Sequence, residues 1–230
     1  MTTIDHAPDP AAPLAVLVSG GLDSSVLLAE SLRYHPAVHP LYVRFGLIWE
    51  TVELDYLRDF LDTLPTGVLR PLVVLDMPVR DLYGDHWSLT GQGVPGADKP
   101  DEAVFLPGRN VLLLAKALIW CHLHEVPAVA LAPLALNPFP DATPEFFATY
   151  AGLVSEAIRG QVRVCHPYRG LSKVEVVRRG ASLALERTLS CMAPVEGLHC
   201  GACAKCAERW KAFAEADLPD PTPYHRRNHV

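Results

Sequence analysis

Short apolar runs alternate along this chain with longer stretches whose apolar residues recur at helical spacing. The runs at residues 15–18, 39–45, 72–75 and 128–132 read as strands, and residues 162–165 as a further extended segment. Residues 23–34, 50–61, 109–124, 144–158 and 172–183 read as helices. In the second of these, Leu54, Leu57 and Leu61 share one side, as on a half-buried helix. Residues 109–124 are apolar nearly all round, which predicts a helix buried against a sheet. Pro144 sits in the tolerated first turn of its helix, and Ser172 followed by Glu175 forms a capping box. Strands alternating with helices predict the α/β class: a doubly wound, mostly parallel sheet with helices on both faces. Ligands of such sheets lie beyond the carboxyl ends of the strands.

Three regions follow from this pattern. Residues 1–13 form a short, acidic, proline-bearing and flexible N-terminal segment, residues 14–186 the α/β domain, and residues 187–230 a small helical appendage with a tail. Residues 84–100 are a glycine- and proline-rich loop of the length of a lid or binding loop. With 230 residues, half of them hydrophobic, the chain can bury one sizeable core plus a small appendage. The net charge of −6 argues against nucleic-acid binding through a broad basic surface, and the pairs Arg178-Arg179 and Arg226-Arg227 read as solvated surface. The N-terminus lacks the basic and apolar regions of a signal peptide. The longest apolar stretch, residues 111–121, is interrupted by Lys116 and too short to span a membrane. The expectation is a soluble cytoplasmic protein with no membrane partner.

The most specific local chemistry lies directly after the first strand. Residues 19–25 read Ser-Gly-Gly-Leu-Asp-Ser-Ser, a tight turn that opens a helix. Gly20 and Gly21 let the backbone approach a ligand closely. Turn amides backed by a helix N-terminus create positive potential, and Ser19, Ser24 and Ser25 add hydroxyls. Such a pocket suits a polyphosphate. It is neither a Walker loop, since no lysine stands in it, nor a dinucleotide fingerprint. It resembles the pyrophosphate loop of the N-type ATP pyrophosphatases, which cleave ATP between the α and β phosphates and leave AMP on an oxygen. That resemblance implies ATP binding by Ser19, Gly20, Gly21, Leu22, Asp23, Ser24 and Ser25.

A second signal stands near the C-terminus. Cys191, Cys200, Cys203 and Cys206 are spaced C-x8-C-x2-C-x2-C. Four thiolates so close fit a closed tetrahedral zinc site with a structural role, clamping the tail. Disulfides would need an oxidising compartment, and an iron–sulfur cluster is the other metal reading. His199 adjoins Cys200 and reaches poorly as a substitute ligand. Cys121 and Cys165, in a helix and a strand, read as small buried hydrophobes. His122 and His124 are two apart on a helix and share no face.

Several segments in one order carry a closer resemblance. They are residues 19–24, Ser88-Leu89-Thr90, Pro107-Gly108-Arg109-Asn110, Phe139-Pro140-Asp141 with Pro144-Glu145-Phe146, Leu171-Ser172-Lys173-Val174-Glu175, and Ser190-Cys191 with the cysteine cluster. From about residue 14 to about residue 213 the chain resembles the 7-cyano-7-deazaguanine synthase (QueC) family. The resemblance implies an adenine nucleotide α-hydrolase-like fold, a homodimer, and a reaction that uses ATP and Mg²⁺. In that reaction 7-carboxy-7-deazaguanine is adenylated and ammonia displaces AMP to give the amide. A second ATP then activates the amide oxygen, and loss of AMP leaves the nitrile. Asp23 is then the Mg²⁺ contact, Arg109 a donor fork and Lys173 a point charge for phosphate, and Asn110 a bridge to the adjacent turn or to the nucleotide.

The acceptor side departs from the family pattern. A Tyr-Gly-Gln-Arg-His stretch is here Phe45-Gly46-Leu47-Ile48-Trp49. Tyr-Pro-Asp-Cys-Arg is here residues 139–143, Phe-Pro-Asp-Ala-Thr, and residues 132–137 replace a more polar stretch. The substrate pocket is expected from Phe45, Trp49, Asn137, Phe139 and Asp141. The apolar patch at residues 47–49 motivates an alternative, in which the adenylated acid is passed to a protein amine in antiphage defence. A zinc-containing nucleic-acid-binding regulator is the alternative of another class, supported weakly by Lys205, Arg209, Trp210 and Lys211.

Overall fold

The computed structural model describes residues 8–226. Residues 1–7 of the N-terminal segment, and Arg227 with the end of the tail, lie outside the described residues. The chain alternates β1 (Leu14–Leu17), α1 (Leu22–Ser31), β2 (Val38–Arg44), α2 (Glu50–Leu61) and β3 (Val73–Asp76). Two single-turn helices follow, α3 (Arg80–Tyr83) and α4 (Trp87–Thr90). Then come α5 (Arg109–Leu123), β4 (Ala128–Ala130), α6 (Pro144–Ala157), β5 (Arg163–Cys165), α7 (Lys173–Arg179) and α8 (Ala204–Glu215).

The five strands form one parallel sheet in the order β3-β2-β1-β4-β5. Alternate residues of each strand serve opposite faces. Leu14, Val16, Tyr42, Ala130 and Cys165 pack with Val26, Leu57, Phe60, Val176 and Phe213 on the side of α1, α2, α7 and α8. Ala15, Leu17, Leu41, Val43 and Val129 pack with Leu114, Leu118, Cys121 and Phe147 on the side of α5 and α6. The sheet is thus buried on both faces, which is why its strands read as unbroken apolar runs.

The strand order reverses between β1 and β4. Loops leaving these two strands diverge to opposite sides and open a crevice at their carboxyl ends. The residues after β1 are the Ser-Gly-Gly turn.

Three local findings differ from the sequence reading. The helix expected to run to residue 183 stops at Arg179, where Gly180 meets α1: a Cβ there would lie 2.7 Å from Val26 Cγ2. The loop at residues 84–100 contains the turn of helix α4. It is also tied to the cysteine region by an antiparallel bridge between Gly96 and Cys203. Helix α8 begins on Cys203 and packs against α7.

Candidate active site

The turn after β1 is held by its own side chains. Ser19 N–H donates to Ser24 Oγ (3.1 Å), Ser24 Oγ donates to Gly21 O (3.2 Å), and Gly21 N–H donates to Ser19 Oγ (3.3 Å). Gly20 has φ +68°, and a Cβ at this position would lie 2.9 Å from Glu53 O on α2. From the other side Leu189 N–H donates to Gly20 O at 2.8 Å. Glycine is therefore required both by the dihedral and by the close approach of α2. Gly21 caps α1 without a side-chain hydrogen bond, leaving the first-turn amides free for an anion. Leu22 packs in the core while touching the second cleft described below, and Ser25 is fully buried with no hydrogen-bond partner for its Oγ among the described residues.

Three clefts meet at Asp23. The first lies over the strand ends and is lined by Ser19, Ser24, Glu50, Glu53, Arg109 and Asn137. The second runs from Gly21 past Lys173 to Trp49, Trp87, Phe139 and Met192. The third passes Asn137, Phe139 and Leu171 toward Lys205 and Glu208. Asp23 is common to all three.

The charges at this junction are paired. Lys173 Nζ lies 2.7 Å from Asp23 Oδ2 and 3.3 Å from Glu208 Oε1. Lys205 Nζ lies 2.6 Å from Glu208 Oε2. Burial works against the Lys173 charge, but Asp23 and Glu208 outweigh it, so its pKa is raised. Burial likewise opposes the Glu208 charge, yet Lys173 and Lys205 together draw that carboxyl down to about 2. The other oxygen of Asp23, Oδ1, is buried with no protein partner among the described residues, and so is Nε of Arg109. Unpaired buried polar atoms are costly; these two stand where an ATP with its Mg²⁺ would satisfy them, so Asp23 and Arg109 fit those groups.

Behind Arg109 lies an acidic pair. Tyr42 Oη donates to Glu53 Oε2 at 2.5 Å. Burial raises the Glu53 carboxyl to about 8, with Tyr42 and Arg109 opposing the rise. Glu50 is raised by burial too, and its carboxylate accepts Phe45 N–H and Gly46 N–H at 2.6 Å each. These two acids fall on the same helical face as Leu54 and Leu57. Acids on an apolar stripe are the sequence signal that would have found them.

The expected pocket residues divide. Trp49, Asn137 and Phe139 line clefts. Phe45 and Asp141 line none of the three. Phe45 is buried in the core, and Asp141 is buried at the start of α5, where Oδ2 accepts Asn110 N–H (2.9 Å) and its carbonyl accepts Asn110 Nδ2 (3.0 Å). Asp141 thus caps α5 from a distance, and Asn110 bridges to the adjacent turn. The apolar patch at residues 47–49 divides in the same way: Leu47 and Trp49 are each 5% exposed and pack in the core, while Ile48 is 38% exposed. Trp49 stacks on Trp87 of α4 with ring centroids 5.8 Å apart. The sequence pattern does not mark Trp87 or Glu208 as site residues, and it marks Lys205 only for the nucleic-acid alternative.

The four cysteines of the C-terminal region converge. Their sulfurs lie within 4.8 Å of one another, and all are free thiols. Cys200 N–H donates to Cys191 Sγ (3.2 Å), and Cys203 N–H donates to Cys200 Sγ (3.3 Å). Amides aimed at sulfur favour the thiolate. Hydrogen bonds from the neighbouring thiols hold Cys200 below the ordinary thiol range and Cys203 at about 7, while they push Cys206 and Cys191 up. Four sulfurs within one ligand sphere, with amides aimed at them, can hold a soft metal ion. His199 stands apart from the set: its Nε2 accepts Ser190 N–H at 3.1 Å, and burial lowers its pKa to about 3.

No described helix is long and apolar enough to cross a membrane. The chain is 34% identical over 225 residues to the 7-cyano-7-deazaguanine synthase of Syntrophotalea carbinolica, covering 92% of this chain and 96% of that protein. It is 32% identical over 233 residues to the enzyme of the same name from Syntrophobacter fumaroxidans, covering 92% and 95%. Among solved structures, a predicted subunit of a tRNA methyltransferase from Methanocaldococcus jannaschii aligns with a TM-score of 0.47 at 16% identity, over 74% of each chain. Residues 14–217 match the family described as "Queuosine biosynthesis protein QueC", and with that match and those relatives the chain belongs to the QueC family.

Proposed function

We propose that the protein is an ATP-dependent 7-cyano-7-deazaguanine synthase. The observation that carries this reading is the meeting of three clefts at Asp23, beside the Ser19 turn, Arg109 and Lys173. A carboxylate oxygen of 7-carboxy-7-deazaguanine attacks the α-phosphorus of ATP, and the bond to the bridging oxygen breaks. Pyrophosphate leaves with that electron pair, held by the turn amides and the hydroxyls of Ser19 and Ser24. Arg109 and Lys173 offset the charge that builds up on the phosphoryl oxygens. Mg²⁺, taken by the free oxygen of Asp23, supplies charge neutralisation when bound. Ammonia attacks the acyl carbon, AMP departs, and one proton is released as the amide forms. The amide oxygen then attacks the α-phosphorus of a second ATP, pyrophosphate leaves with the electron pair of the bridging oxygen, and departure of AMP with loss of the two nitrogen protons gives the nitrile.

Cys191, Cys200, Cys203 and Cys206 would hold zinc in a closed structural site, with no open position for substrate. Cys203 and Cys206 bound in that site would fix the start of α8.

The test is mass spectrometry of reactions containing ATP, Mg²⁺ and the acid, with and without ammonia. AMP and pyrophosphate are expected in each, and the nitrile only with ammonia. Asp23→Ala abolishes AMP release on this account. ADP as product, or undiminished AMP from that variant, refutes it.

A further inference from the structure

Helix α8 places Lys205 and Glu208 three residues apart on one face, and both line the second cleft. Each side chain is 29% exposed, so the pair is reachable. Lys205 Nζ sits 2.6 Å from Glu208 Oε2, and Lys173 Nζ sits 3.3 Å from Glu208 Oε1. A carboxylate accepts about four hydrogen bonds, so two lysines leave Glu208 with unused capacity. The cleft that Glu208 lines also has flat and apolar walls: Trp49, Trp87, Phe139 and Met192. Such walls take a planar ring, and the ring's polar edge must then meet polar groups or lose its hydrogen bonds.

A guanine-type edge carries two neighbouring donors, N1–H and the 2-amino group, and one acceptor, O6. A carboxylate beside an ammonium is the matching array. The same cleft also holds Arg109 and the Ser19 turn, donors suited to phosphate, and Lys173 links Glu208 to Asp23 beside that turn. Glu53 is the other glutamate of this cleft outside α8, and its Oε2 is already engaged by Tyr42.

We infer that Glu208 accepts N1–H and the 2-amino group of the deazaguanine acid while Lys205 donates to O6. The pair thereby selects a guanine-type ring over a hypoxanthine-type one. This rests on the deazaguanine reading above, and it makes the cysteine-bearing helix the source of base specificity.

Calorimetric titration without ATP tests it, using 7-carboxy-7-deazaguanine and its analogue lacking the 2-amino group. The wild-type protein binds the guanine-type acid at least about tenfold more tightly, the value of one charge-assisted hydrogen bond. Glu208→Gln, with zinc content unchanged, loses most of that preference, because its amide presents a donor to a donor. Lys205→Met weakens both acids alike, since both carry O6. Equal binding of the two acids by wild type, no binding of either, or full preference retained in Glu208→Gln overturns the inference. AMP release is measured in parallel. Selective binding without AMP leaves the pairing standing and refutes the proposed reaction instead.

Discussion

Arg209 is fully buried, and its guanidinium makes four hydrogen bonds. Nε donates to Thr222 Oγ1 (2.6 Å), Nη1 to Thr188 Oγ1 (2.8 Å) and Ser190 Oγ (3.2 Å), and Nη2 to Leu185 O (2.7 Å). Burial lowers its pKa, with Asp220 opposing. Arg209→Met keeps most of the apolar stem and removes every donor. Each charge-assisted bond contributes about 1.5–3 kcal/mol net. Removing the charge also removes a desolvation penalty of several kcal/mol. The difference leaves a loss of about 3–5 kcal/mol, the usual cost of breaking a buried polar network from one side. For a chain of this size each kcal/mol moves Tm by about 2–4 °C, so the expected fall is about 6–20 °C.

The same variant reaches the phosphate turn. Thr188 and Ser190 flank Leu189, whose N–H donates to Gly20 O at 2.8 Å. Freeing that strap loosens the turn, so KM for ATP rises at temperatures well below the new Tm. Differential scanning calorimetry reads the first effect, and AMP formation at varied ATP reads the second. A Tm change under about 2 °C, or less than 1 kcal/mol, refutes the network account. An unchanged KM with a lowered Tm refutes the link to the turn.

Gly20→Ala faces a left-handed backbone penalty of about 1–2 kcal/mol and a Cβ 2.9 Å from Glu53 O, a backbone atom that cannot swing aside. The resulting displacement of the turn lowers AMP formation by about a hundredfold, measured by steady-state assay. Cys203→Ser loses bound zinc, measured by atomic absorption, and exposes the C-terminal tail to limited proteolysis, because folding free energy of such modules resides largely in the metal. Glu53 stands near 4.5 unfolded and at about 8 folded. The folded state therefore binds more protons across that window, and stability falls as pH rises through it. In Glu53→Gln, chemical denaturation across the same pH range shows a flatter profile.

Much of the fold is legible in the hydrophobic pattern, because a sheet buried on both faces forces unbroken apolar runs at residues such as 15–17 and 128–130. Helix α2 matches the expected residues 50–61 at both ends, its stripe being set by contact with one neighbour. The early end of α7 was hidden, since it depends on Val26 approaching Gly180 from a distant helix. Helices α3 and α4 are four residues each, too short for periodicity to register. The Ser19 turn was readable because its geometry requires glycine in sequence, Gly20 having φ +68° and α2 against it. Lys205 and Glu208 were not, since an i, i+3 Lys–Glu pair on an exposed helix face has the same pattern as a solvated ion pair. Asp141 and Phe45 misled for the converse reason. A motif fixes which residues stand near a site but not which of them turn their side chains inward.

The cysteine region and the charged junction at Asp23 form one mechanical unit through α8. Cys203 caps that helix and Cys206 sits in its first turn, so a metal bound by these sulfurs would fix where it starts. Within six residues of that start the helix sends Lys205 and Glu208 to the cleft and Arg209 to the segment that braces Gly20. A helix rises only about 1.5 Å per residue, so an error in placing its first turn reaches all three side chains undiminished. An ion held by the four sulfurs would have a filled shell and take no part in chemistry, yet it would set the distance between Glu208 and Lys173, and through Lys173 the charge beside Asp23. The cysteine cluster and the Asp23 junction are thus coupled by the geometry of α8 alone.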